Sequence, residues 1–134
     1  MPQKQGNNTA DGGRLSGANA SAVAAANFAI GAGWGGTATF TVTSGSTDQV
    51  GQIVITASAT TPAQATATVT LTFADGAYAS APFGFVLLAD NDQAVAENGA
   101  TDIACTTTAL SWTHSVLPVA TKIYTFNYMV VAGR

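Results

Sequence analysis

The chain has 134 residues, of which only 8% are charged, and its formal net charge is -3. That length holds one domain with a sizeable core and leaves no room for a second full domain. The only basic residues are Lys4 and Arg14 near one end and Lys122 and Arg134 near the other, so there is no basic face for nucleic acid, and the Ala-rich stretch 18–32 is broken too often by Asn, Ser and Gly to cross a membrane.

Residues 1–36 are mostly Gly, Asn, Ala and Ser, with Leu15, Val23, Phe28, Ile30 and Trp34 as their sizeable apolar anchors. Five such side chains are too few for a core, so the segment reads as an arm that orders against a neighbour. Within it, 18–28 is expected to form a short helix capped by Ser16 or Asn19. Gly31, Gly33, Gly35 and Gly36 surround Trp34 and read as a flexible joint anchored by the indole. No apolar run follows Lys4, so no secretory signal is expected, and release from a cell would be by lysis. Without such a signal, the glycosylation patterns at Asn7 and Asn19 carry no weight.

From Thr37 the chain alternates. In 65–73 Ala67, Val69, Leu71 and Phe73 fall on one face of an extended chain, and Thr66, Thr68, Thr70 and Thr72 on the other. Successive strand side chains point to opposite faces, so the first set is predicted to enter a core and the second to meet water or a partner. Ala38, Phe40 and Val42 repeat the pattern. Strands are predicted at 37–43, 51–58, 65–73, 83–89, 102–107, 110–115 and 123–131. Turn formers separate them: Ser44-Gly45-Ser46, Thr61-Pro62, Ala74-Asp75-Gly76, Asn91-Asp92, Glu97-Asn98-Gly99 and Leu117-Pro118. The fold class is therefore all-β, an antiparallel β-sandwich or jelly-roll-like domain with an extended N-terminal arm, divided into arm and joint (1–36) and body (37–134).

The last strand carries Tyr124, Phe126 and Tyr128 on one face and Ile123, Met129 and Val131 on the other. Apolar demand on both faces predicts a central strand or one buried against another subunit. A ring with a polar tip suits an interface, so Tyr124 and Tyr128, with Leu15, Phe28 and Trp34, are the expected partner contacts. So few charges on a surface built from Ala, Thr, Ser and Gly also favour an oligomer or an assembly component.

Several fragments occur together: Asp48-Gln49-Val50-Gly51-Gln52-Ile53, the strand 65–73, Ala77-Tyr78-Ala79-Ser80-Ala81-Pro82 leading into the apolar strand 83–88, and the closing Tyr124-Thr125-Phe126-Asn127-Tyr128. This order, over 44–133, resembles a β-sandwich module of tailed-bacteriophage virion proteins, of the tail-fibre-head or capsid-decoration type. The resemblance implies a homotrimeric virion structural protein, assembled in the host cytoplasm. No shaft, heptad segment or collagen-like repeat precedes the body. This favours a capsid decoration or cement protein that binds the major capsid protein through its arm. The alternative is a receptor-binding head on a short tail fibre or baseplate, with Asp90, Asp92 and Glu97 contacting a host glycan or surface protein.

Groups that carry chemistry are sparse. His114 is the single histidine, and no Gly-x-Ser-x-Gly elbow accompanies it. It is expected to pack beside Trp112 or at a subunit contact, where three copies about a three-fold axis would bind a metal or sense pH. A glycan-active hydrolase would have to be built from this histidine and the loop acids. Asp90-Asn91-Asp92 and Glu97 lack the Gly and terminal Glu of a calcium loop and read as solvated turn residues. Cys105 is the single cysteine, so no internal disulfide forms, and neither it nor Asp102 has the partners zinc requires. No catalytic residue, cofactor or metal is expected.

Overall fold

A computed structural model describes residues 21–59, 67–91 and 99–132. Among them eight strands form two antiparallel sheets of four. The strands are β1 (Phe28–Ile30), β2 (Thr39–Val42), β3 (Val50–Thr56), β4 (Thr68–Thr72), β5 (Phe83–Asn91), β6 (Ala100–Cys105), β7 (Ala109–His114) and β8 (Ile123–Val131). One sheet has the order β1-β4-β7-β6 and the other β2-β3-β8-β5. The protein is all-β, as its alternation predicts. Along β4 to β8 the strand order is that of strands B to F in an immunoglobulin-type sandwich, with β3 in the G place although it precedes them in the chain.

Alternation decides which faces meet. Ala67, Val69, Leu71 and Phe73 are all buried, while Thr68 and Thr70 are half-buried and Thr72 is exposed. Val69 pairs with Trp112 across β4 and β7, and Ile53 with Phe126 across β3 and β8. Between the sheets, the Trp112 and Phe126 rings lie 5.6 Å apart and the Trp34 and Tyr124 rings 5.4 Å apart. These aromatics, with Ile53, Ile55, Leu71 and Leu110, form one continuous core. Gly84 of β5 lets the sheets close up beside it: a Cβ there would come within 2.5 Å of Leu110 Cδ1.

The first described segment departs from expectation. Its part of the expected helix, 21–28, holds only one 3-10 turn, Ala25–Asn27, in which the Asn27 side chain accepts from the Ala24 backbone N–H at 3.0 Å. Phe28, Ala29 and Ile30 then pair with Leu71, Thr70 and Val69. Alanine's helix propensity is worth only tenths of a kcal/mol per residue, and burial of Phe28 against the sheet outweighs it. Nor is the Gly-rich stretch a free joint. The Gly31 N–H and the Trp34 Nε1–H both donate to the Thr68 carbonyl, each at 2.9 Å, and a Cβ on Gly31 would collide with the Thr68 hydroxyl. Residues 28–34 are thus part of the sandwich.

Candidate functional site

His114 ends β7 with its ring inside the core. It stacks on Trp34 at 5.5 Å and lies 4.8 Å from the Tyr124 ring and 5.9 Å from that of Phe126. Its Nδ1 is 3.2 Å from the Gly99 carbonyl oxygen, which places the ring hydrogen on Nδ1 and leaves Nε2 buried without a partner. Burial among these rings lowers its pKa, partly opposed by the bond to Gly99. A catalytic base of the Ser-His-Asp kind needs a carboxylate on one nitrogen and a nucleophile on the other. His114 has a backbone carbonyl on one and hydrocarbon around the other. It is buried in its own subunit, so it cannot meet copies of itself about an axis.

The second polar cluster centres on Asp48. Its carboxylate is buried, and Oδ2 accepts from the Asp75 backbone N–H at 3.2 Å while the Asp48 N–H donates to the Ser21 carbonyl at 2.9 Å. Burial raises its pKa, and the backbone donors pull the other way. Around it, Gln49, Asp75, Gly76, Ala77 and Tyr78 line a small cavity of about 60 Å³. Tyr78 and Tyr128 both have raised pKa values, first from burial and then from the Asp48 charge. The Tyr128 hydroxyl donates to the Thr47 carbonyl. The Asp48–Asp75 bond ties the β2–β3 turn to the turn after β4, and the Tyr128 bond ties the same turn to β8. Among the described residues no three His, Cys, Asp or Glu side chains converge where a metal could be held.

The expected contact residues are placed as follows. Phe28, Trp34, Tyr124 and Tyr128 are 7%, 0%, 0% and 2% exposed, so their rings serve the protein's own core and are closed to a partner. This corrects the expectation for those four. The tyrosine tips find partners inside the chain: Tyr124 Oη accepts from the Val119 N–H at 2.8 Å, and Tyr128 bonds Thr47. Leu15, Asp92 and Glu97 lie outside the described residues, and Asp90 pairs with Thr125 near the end of β5. Cys105 is partly buried, and burial raises its thiol pKa.

An apolar outer face went unrecognised in the sequence. Phe83, Phe85 and Leu87 of β5 are 65%, 54% and 66% exposed on the side of their sheet away from the core. Beside them β8 contributes Met129, paired with Phe85, and β3 contributes Val50, paired with Met129. Phe85, Leu87, Met129 and Val50, with Ile103 of β6, border an open groove of about 470 Å³. Uninterrupted apolar residues from Phe85 to Leu88 signal apolar surface on both sides of a strand, which a central buried strand produces equally well.

No protein-family model matches this chain, and neither a curated protein nor a solved structure matches it.

Proposed function

We propose that the protein is a non-enzymatic structural subunit of a virion, a homotrimer that decorates or cements a bacteriophage capsid by binding the major capsid protein. The observation that carries this reading is the pairing of a core that absorbs the histidine and tyrosines with a sheet face that leaves Phe83, Phe85 and Leu87 in water. A protein arranged so offers apolar surface to other subunits, while its polar cluster centres on a buried Asp48 carboxylate held by the Asp75 backbone N–H. The phage part of the reading is supported by the sequence resemblance over 44–133.

The test is to add purified protein to particles that lack it and image them by electron cryo-microscopy. Density is expected at three-fold or quasi-three-fold positions of the capsid. Density at the tail alone would make the protein a receptor-binding head, and bare particles would overturn both.

A further inference from the structure

Among the described residues the sandwich has four edge strands, and three of them are blunted. β1 has three residues and β2 four. β6 is interrupted by a shift of register between Thr101 and Ala104, with Asp102 at a φ of 48°. Short strands and bulges are the usual protection of an edge against unwanted pairing. β5 is different. It runs for nine residues, pairs in regular register with β8 from Phe83 to Leu88 before a shift of register between Leu88 and Asp90, and ends its sheet among the described residues.

Of the strands that build this face, β3 (Val50–Thr56) and β8 (Ile123–Val131) hold no charged residue, and β5 (Phe83–Asn91) holds a single one, Asp90, beyond the exposed Phe83, Phe85 and Leu87. Natural edges left open to water carry lysines or inward charges along their length, and from Phe83 to Ala89 this one carries none. Taking exposed ring and aliphatic areas on the order of 200 Å² for a whole side chain, Phe83, Phe85, Leu87 and Ile103 present about 400 Å² of apolar surface. A standard interface covers about 800 Å² on each partner, roughly 60% of it apolar, or about 480 Å². The patch therefore supplies the apolar part of one such interface, or about half of it for each of the two neighbours that a subunit has in a trimer. A partner of different sequence would be selected by complementary charge, which this face lacks. An identical face meets it without like-charge repulsion, and its residues are the ones a partner patch would need.

We infer that further copies of this chain cover this face, with Phe83, Phe85 and Leu87 of each subunit packing against those of its neighbours about a rotation axis. Closed cyclic symmetry buries the patch on every subunit and leaves no copy to add without limit. This names the contact surface of the homotrimer proposed above and rests on that reading for the number of copies.

The experiment is light-scattering mass determination on the full chain, wild type against F85T and F83T/F85T/L87T. Threonine keeps the strand preference while removing the apolar surface, so the fold is retained and is checked by far-ultraviolet circular dichroism. Wild type is expected at three times the 13.4 kDa chain mass. F85T should raise the dissociation constant about 100-fold, as loss of a central aromatic anchor does. The triple variant should be a folded monomer. A triple variant with wild-type mass would overturn the assignment of this face and leave the trimer standing. A monomeric wild type that still decorates particles would overturn the contact and the trimer while leaving the virion reading intact.

Discussion

His114 is a titratable group built into a hydrocarbon environment, and that fixes how it responds to pH. Stacked on Trp34 and bonded through Nδ1 to Gly99, it is neutral in the folded protein, with a pKa below its ordinary value of 6.5. In the unfolded chain the ring takes up a proton near pH 6.5. Between that pH and the lower folded value the unfolded state binds more protons, so the stability that His114 contributes is complete above 6.5 and is lost as the solution is acidified. Asp48 acts in the opposite sense, because a raised carboxyl pKa favours the folded state on acidification. The histidine effect is therefore read as a difference. The gap in urea midpoint between wild type and His114→Phe should change steadily from pH 7 to pH 5 in favour of the variant, and a gap independent of pH would mean that the ring is accessible to protons while folded.

At the level of elements, period-two patterning carried most of the fold because one face of each strand is buried. A slip of one residue in β4 would put Thr68, Thr70 and Thr72 in the core in place of Val69 and Leu71, so the register is strongly specified. β1 was hidden for the converse reason: three residues are too short to display a period, and the alanines before them imitate a helix. β5 shows a third case, since apolar residues on both faces do not reveal that only the Val86 and Leu88 side is packed in this chain. The distance between β5 and β7 depends on Gly84. In Gly84→Ala the new Cβ meets Leu110 Cδ1 at 2.5 Å and Cys105 Sγ at 3.4 Å, and overpacking of this kind costs about 1–3 kcal/mol. The control is Gly99→Ala, where nothing lies within 4 Å and a midpoint close to wild type is expected in the same urea titration.

For the whole molecule, the decisive question is where the arm ends and the sandwich begins. Composition placed that boundary at Gly36, because nothing in a row of glycines and alanines announces that Phe28 and Trp34 return to the chain's own core. Both rings are buried in it, Phe28 5.9 Å from the Tyr128 ring and Trp34 among Tyr124, Phe126 and His114. Truncating a buried Phe or Trp costs about 3–5 kcal/mol, and a domain of this size is stable by only about 5–15 kcal/mol. Removal of 1–36 takes both rings, all of β1 and the two bonds to the Thr68 carbonyl, so that truncation should yield unfolded or aggregated protein. It would fail to bind particles for reasons unrelated to an arm. Deletion of 1–20 removes none of these interactions and should give a cooperatively melting sandwich. If the arm anchors the protein to a capsid, the shorter deletion alone will abolish decoration while its thermal midpoint stays near wild type; full occupancy by that folded variant would move the anchoring contacts onto the sandwich itself.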